Sequence, residues 1–404
     1  IDKSLTISPT SDCKEIDLSG AVVMPGVIDT HVHFREPGLT HKADIFSESK
    51  AAVVGGVTSY VDMPNTVPQT TTRKLHEEKC QLAKNRSFAN YAFYIGATNN
   101  NIDELKEIDK TVVPGVKLFM GSSTGNMLVD NNSMLDRLFS EVDALIAVHA
   151  EDEETIKNNL KYVKECFADN PPTLVHPIVR SEEACFLTSK KAVELAKKHN
   201  ARLHLLHVST EKELSLLSNE SLENKRITAE ACISHLYFDE RSYKEKGNFI
   251  KCNPSIKTER DKFALRKALC DGVLDVVSTD HAPHTIEEKN KRYYNAPSGI
   301  PSIQHSLSMM IQLSKDGFFT IEQIVNWMCH NQARCFNIKN RGFIREGYCA
   351  DIVCVDLCEQ HLKTVDNYYK CKWSPFGQST VSYVLHTFVN GNHVYDGDNV
   401  ITAP

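Results

Sequence analysis

The stretch Asp29-Thr-His31-Val-His33-Phe-Arg35-Glu-Pro-Gly38 follows an apolar run, Ala21 to Ile28, interrupted only by Pro25-Gly26. A short apolar run that ends in polar residues reads as a buried strand emerging from a core. Side chains two apart on an extended strand share a face, so His31 and His33 point the same way. Two imidazoles on one side of a strand end can hold one borderline metal ion. They can equally be satisfied core histidines, and this stretch alone does not separate the two.

Outward from it, short apolar segments alternate with longer helix-like ones. The strand candidates are Val27–Phe34, Val57–Pro64, Tyr91–Gly96, Gly115–Met120, Leu145–Ala150, Arg202–Ser209, Arg226–Cys232 and Asp275–Thr279. Helical spacing or composition marks Asp44–Ala52, Thr72–Asn85, Asn101–Ile108, Ser133–Glu141, Arg180–His199, Glu211–Leu217 and Thr258–Leu269, with Ser181-Glu-Glu183 as an acidic helix start. Eight strands alternating with helices argue for an α/β fold of the (β/α)8 TIM-barrel type. The roughly 250 residues typical of that barrel fit residues 24–341 with insertions. Residues 1–23 read as short strands, Leu5–Ile7, Glu15–Leu18 and Ala21–Val23, and residues 342–404 as short strands between Gly and Asn turns. The two ends are expected to build a small β-sandwich-like domain. Lys157–Lys164 and Lys289–Tyr294 read as solvated loops or helix faces.

Composition narrows the function. Hydrophobic content of 41% and charged content of 24% suit an ordinary globular protein, and a net charge of -6 offers no basic footprint for nucleic acid and no polybasic membrane patch. No apolar run approaches the roughly 18 residues that span a bilayer, and no signal-peptide pattern opens the chain. The chain starts at Ile1, which suggests a missing start. Thirteen cysteines without a Cys-x-x-Cys pair favour buried free thiols in a reducing cytoplasm. Any metal is then expected on His and carboxylate.

Catalytic residues of such barrels collect at the C-terminal ends of the strands. Those ends supply His31, His33 and Arg35, then Asn65, Lys117, His149, His207, and finally Asp280 and His284. Taken singly, His149 or His207 reads as structural, Asp280 as a turn cap and Lys117 as a snorkelling lysine. Their convergence on one end of one barrel favours a metal site. His204 and His207, three apart on one strand, point to opposite faces, and His207 is chosen because it lies nearer the strand end.

The motifs Asp29–Gly38, Met63-Pro-Asn-Thr66, Val116-Lys-Leu-Phe119, Val148-His-Ala-Glu151, Leu206-His-Val-Ser-Thr210 and Ser278-Thr-Asp-His-Ala-Pro-His284 resemble the cyclic amidases of the amidohydrolase superfamily, most closely the dihydroorotases. Gly347–Val353 is similar to that family's C-terminal β-domain. The resemblance implies a binuclear zinc centre, with His31, His33 and Asp280 on one Zn2+, His149 and His207 on the other, and a CO2-derived carboxylated Lys117 between them. A desolvated lysine loses its proton readily, as carbamate formation needs. The implied reaction is the reversible cyclisation of N-carbamoyl-L-aspartate to L-dihydroorotate in pyrimidine biosynthesis. A metal-bridging hydroxide attacks, and Asp280 is general acid and base. Arg35, Asn65 and His284 are expected on the substrate carboxylate and Asn253 on the ring edge, with 296–301 as a source of main-chain hydrogen bonds. The expected partners are a small-molecule substrate and a second copy of the chain in a homodimer, with no nucleic acid and no membrane.

Two rivals stay open. A dihydropyrimidinase, hydantoinase or allantoinase acts on a ring without this carboxylate, and such relatives generally lack the Arg at 35 and Ala-Pro-His at 282–284. A non-catalytic scaffold has no need of so many convergent ligands. Gln304-His305 after Pro301 departs from the commoner bacterial pattern, and the short N-terminal strand set fits truncation.

Overall fold

From its first strand the chain divides its work between two sheets. The structure, a computed structural model, describes residues 15–18, 20–121, 127–357, 363–364, 366–377, 379–380 and 382–404. Strand β1 (Val22–Pro25) belongs to the smaller sheet. The staves that follow are β2 (Val27–Val32), β3 (Val57–Asp62), β4 (Asn90–Phe93) continued by β5 (Ile95–Gly96), β6 (Val116–Met120), β7 (Leu145–Ala150), β8 (Arg202–Leu205), β9 (Ile227–Cys232) and β10 (Val276–Ser278). Neighbours pair in parallel, β2 to β4 and β5 to β10, each in sequence order. The ring closes where His33 N–H donates to His281 O at 2.7 Å, and around Tyr94, whose N–H donates to Asp62 O at 3.0 Å. Every residue of β2, β3 and β7 is buried, as parallel strands covered on both faces require.

Helices cover the outside where the sequence supplies caps. Asp44, Thr72, Ser181 and Thr258 each accept a backbone N–H of the first turn, starting the helices Ile45–Val54, Arg73–Ala83, Glu182–His199 and Glu259–Cys270. The polar stretch Lys157–Lys164 lies within a longer helix, Glu153–Phe167, capped by Asp152 and burying only Ile156 and Val163. Further helices, Ser306–Lys315 among them, complete the ring beyond the last sequence-predicted one. Lys289 departs most from its solvated reading, because its side chain is fully buried.

The smaller sheet joins both ends of the chain. Its order is β1, β11 (Ile352–Asp356), β14 (Tyr383–Val389), β15 (Asn392–Tyr395), antiparallel throughout, beside a two-residue ladder of β12 (Lys363–Thr364) and β13 (Ser379–Thr380). Glu15–Leu18 forms no ladder, since the chain turns there with Ala21 N–H donating to Leu18 O, and Leu5–Ile7 lies outside the described residues. The chain passes from the small sheet to the barrel at Gly26, where any Cβ would lie 2.1 Å from Thr58 Oγ1.

Several strands end earlier than the apolar pattern suggests. β2 stops at Val32 and β8 at Leu205, and Arg35, His207 and Asp280 adopt positive φ values of 67°, 39° and 47°. A non-glycine residue held there stores about 1–3 kcal/mol of strain, which surrounding contacts must offset. One such contact is Asp62. Its Oδ1 accepts the Phe34 N–H at 2.8 Å, and its Oδ2 pairs with the buried Lys79 Nζ at 2.6 Å. Lys79→Met leaves that carboxylate uncompensated and should cost about 3–5 kcal/mol in denaturant unfolding. Asp62→Asn in the Lys79→Met background should restore part of it. A loss under about 1 kcal/mol would show that the pair does not anchor the turn.

Candidate functional site

His31, His33, Arg35, Asn65, Lys117, His149, His207, Asn253 and Asp280 line one pocket at the C-terminal end of the barrel, together with Phe119, Ala282, Ser298 and Gly299. His284 is not among the lining residues and sits behind Arg35.

Two clusters of donors face this space. In the first, the Nε2 atoms of His31 and His33 lie 3.2 and 3.1 Å from Asp280 Oδ1. A tetrahedral ion with bonds of about 2.0–2.1 Å sets its ligand atoms about 3.3 Å apart, so this triangle has the dimensions of a metal's face. In the second, His149 Nδ1 and His207 Nε2 approach to 2.9 Å. Lys117 is fully buried between strands, its Nζ 4.6 Å from the centre of the Phe119 ring. Among the described residues no carboxylate lies within ion-pair distance of it. The donor set fits divalent ions.

Burial and neighbouring charge decide the protonation states. His33 is pushed down to about 4 by burial, and His149 and His207 are lowered by the same cause. All three are therefore neutral near pH 7, with a lone pair to give. His31 differs. Burial works against its charge, but Glu230 and Asp280 outweigh it and raise it to about 9. Asp280 is driven well below the usual carboxylate range, since the pull of His31 and His33 exceeds the burial penalty. Burial lowers Lys117 to about 7 against the pull of Asp280 and Glu230.

Behind the pocket a second layer contacts the rings of His31, His33 and His149 and the backbone of His207, as metal-binding histidines usually require. Glu230 Oε1 meets His31 Nδ1 at 2.5 Å and accepts the His207 N–H at 3.0 Å. Asn65 Oδ1 accepts from His33 Nδ1 at 2.8 Å, which leaves His33 Nε2 for the pocket. Glu151 lies 3.0 Å from His149 Nε2 and is itself paired with Arg180. Asp29 takes the Thr279 hydroxyl at 2.6 Å, fastening the strand that carries His31 to the one that precedes Asp280. Sequence reasoning passed over Glu230, although a lone carboxylate inside the apolar strand Ile227–Cys232 was its visible signal. His207 lies beyond the end of β8, so strand alternation does not decide its direction. His204 packs on Thr228 through a 2.8 Å Nδ1 contact, with its Nε2 3.5 Å from Glu230.

Arg35 forms the pocket's cationic wall. It is 8% exposed, with Nε donating to Pro283 O at 3.1 Å and a terminal nitrogen 3.1 Å from His284 Nε2. Lys42 Nζ approaches the other ring nitrogen of His284 at 3.1 Å. Burial and then Arg35 push His284 down to about 3, so a neutral imidazole stands between two cations. Asn253 is held from behind by His176 Nε2, 3.1 Å from its Oδ1.

A parallel barrel with ligand-type histidines, a lysine and an aspartate at its strand ends is the architecture of a metal-dependent hydrolase. The chain belongs to the amidohydrolase family, whose sequence profile matches residues 22–394. It is 32% identical over 389 residues to the dihydroorotase of Methanosphaera stadtmanae, covering 95% of this chain and 88% of that protein. It is likewise 32% identical over 382 residues to the dihydroorotase of Halobacterium salinarum, covering 94% and 87%. Among solved structures, the L-hydantoinase (dihydropyrimidinase) of Arthrobacter aurescens superposes with a TM-score of 0.91 at 27% identity, covering 98% of this chain and 90% of that one. The dihydropyrimidinase of Brevibacillus agri, at 22% identity and a TM-score of 0.88, shares the fold.

In metal-free protein His31 should titrate near pH 9, and Glu230→Gln should move that titration downward by removing the larger of the two anionic supports. Ring resonances followed by NMR check this, and an unmoved titration would mean that Glu230 does not hold the imidazole.

Proposed function

We propose that the chain is a dihydroorotase, closing N-carbamoyl-L-aspartate to L-dihydroorotate with release of water and opening the ring in the reverse direction. Arg35 carries the reading. It is a buried guanidinium in the wall of the pocket, and among the described residues no carboxylate lies within 4.0 Å of it to form an ion pair. A buried cation is costly unless an anion meets it, and the planar fork of arginine matches a carboxylate in two hydrogen bonds. The ring carboxylate of dihydroorotate supplies that anion, since Lys42 behind it is already paired with Glu288 and neutral His284 carries no charge. The likeness to two archaeal dihydroorotases along most of both chains supports the same reading.

The reading includes two zinc ions, one on His31, His33 and Asp280, the other on His149 and His207, with Lys117 carboxylated between them. Supporting it are the ligand-like spacing of the first triangle, the neutral second pair, and a lysine lowered to about 7 that keeps enough free amine to take up CO2. When bound, such ions activate water at neutral pH and polarise the scissile carbonyl. Asp280, held in the ionised form, takes the proton of the attacking water on a carboxylate oxygen and returns it to the departing amide nitrogen. Asn65 holds His33 in the tautomer that leaves Nε2 unprotonated, and Asn253 meets the ring edge. Among the described residues, the barrel that begins at Val27 is the catalytic unit, and the sheet of β1, β11, β14 and β15 is its β-appendage. The eleven free cysteines among the described residues support a reducing, cytoplasmic setting.

Hydantoinase action is the second reading, favoured by the Arthrobacter fold match. Turnover separates the two. Dihydroorotate should be hydrolysed and hydantoin should not, and the opposite result would sink the dihydroorotase reading. Arg35→Ala should lower kcat/KM for dihydroorotate by about 100-fold to 10,000-fold, two charge-assisted hydrogen bonds being worth about 1.5–3 kcal/mol each, while bound metal is unchanged. Loss of metal in that variant would instead make Arg35 structural. Zinc should bind the metal-free protein more tightly as pH rises from 6.5 to about 9, because His31 must surrender its proton. Calorimetry in buffers of differing ionisation enthalpy counts the protons released, and a pH-independent affinity would remove His31 from the ligand set.

A further inference from the structure

Ser298 and Gly299 are among the residues that line the pocket. Four consecutive carbonyls of this segment are each met by a buried side chain. Lys251 Nζ donates to Ala296 O at 2.6 Å, and Lys289 Nζ donates to Pro297 O at 3.1 Å and Gly299 O at 2.9 Å. His284 Nε2 lies 3.0 Å from Ser298 O. The two lysines are joined to each other, since Lys289 Nζ also donates to Lys251 O at 3.2 Å, and that same carbonyl accepts the Gly299 N–H at 2.9 Å. Lys251 Nζ further donates to Tyr293 O at 2.7 Å.

Neither lysine has a carboxylate partner among the described residues, although Lys289 is fully buried and Lys251 nearly so. An ammonium in that position costs desolvation energy that carbonyls only partly return. A methionine of similar length would fill the same space more cheaply, so the lysines are not explained by packing. What they supply is a set of donors that fixes one loop. Gly299 takes φ 150° there, and a Cβ on it would lie 2.3 Å from Ala282 O, so the loop passes against the strand-end segment with no slack.

We propose that Lys251 and Lys289 are positioning residues that set substrate affinity and ring selectivity by clamping the carbonyls of 296–299. With those acceptors taken, the wall is ordered before substrate arrives, and binding does not have to order it. The clamp also reaches the guanidinium by packing, because His284 Nε2 lies 3.0 Å from Ser298 O and 3.1 Å from an Arg35 nitrogen, and the neutral ring, which donates to the one or accepts from the other, fills the space between loop and guanidinium. Loosening the loop therefore loosens the backing of Arg35, and discrimination in favour of a carboxylated ring falls with affinity.

This proposal rests on the dihydroorotase reading, and one kinetic series tells the two apart. Lys289→Met, purified with its metal content measured, should raise KM for dihydroorotate about tenfold with kcat within about twofold. Its preference for dihydroorotate over dihydrouracil, the same ring without the carboxylate, should narrow. Lys251→Met, which frees only the start of the segment, should give a smaller shift in the same direction. Wild-type protein that does not turn over dihydroorotate overturns the functional reading itself. Wild-type turnover with KM and selectivity unmoved in folded, metal-loaded variants overturns the clamp alone. If neither variant folds, the lysines support the fold, and the clamp is again overturned.

Discussion

Two carboxylates on opposite sides of one imidazole set the terms for the upper end of this barrel. Glu230 and Asp280 flank His31, one at each ring nitrogen. Neither anion tolerates burial without a compensating charge. Other acids of the same region bring their own cation: Asp62 has Lys79 and Glu151 has Arg180. Asp29, with a hydroxyl and backbone N–H groups as its partners, is driven up to about 7 by burial. The trio of Glu230, His31 and Asp280 carries one positive charge at most and an excess of negative charge, open on the side that faces the pocket. That excess is what a divalent cation would neutralise, and it distinguishes this trio from the self-contained pairs around it.

The strands and the pocket's lining were legible because each rests on a local signal. Apolar runs of strand length mark the staves, the acidic start Ser181-Glu-Glu183 marks the longest helix, and the polar residues just after each run mark the pocket. The supporting layer was not legible, since its contacts join residues far apart in sequence. Glu230 and His31 are separated by 199 positions, and Asp29 and Thr279 by 250. His284 shows the limit from the other side. Its motif placed it at the right strand end, but the turn through Ala282 and Pro283 carries its ring behind the guanidinium rather than into the pocket. Lys289 read as solvated because its neighbours in sequence are polar, and only the tertiary fold reveals the carbonyls that surround it.

Precision here comes from departures from regular structure. Arg35, His207 and Asp280 all lie just past a strand and all take positive φ, so none points where strand alternation would send it. Each is then caught by distant partners: Pro283 O for Arg35, Glu230 for the His207 N–H, and the paired histidines for Asp280. Strain of about 1–3 kcal/mol per residue is sustainable only where such contacts over-determine the geometry. The consequence is that pocket residues depend more on tertiary hydrogen bonds than on their own strands.

The fold is shared with an L-hydantoinase at a TM-score of 0.91 and with dihydroorotases by sequence, so architecture does not choose the substrate. The choice has to come from a group whose presence is costly without its ligand. The donor histidines do not qualify, because imidazoles holding a metal would serve any substrate whose carbonyl approached it. Arg35 does. Its burial lowers it only to about 10, so it stays charged at every physiological pH, and whereas Lys42 pairs with Glu288 at 3.2 Å, no carboxylate among the described residues lies within ion-pair distance of the guanidinium. On the proposed reading, a ring lacking a carboxylate would leave that charge with only the longer-range pull of Asp280, Asp62 and Glu288, whereas a carboxylated ring would pair with it directly. Selectivity in this pocket is therefore a matter of what the wrong substrate fails to neutralise.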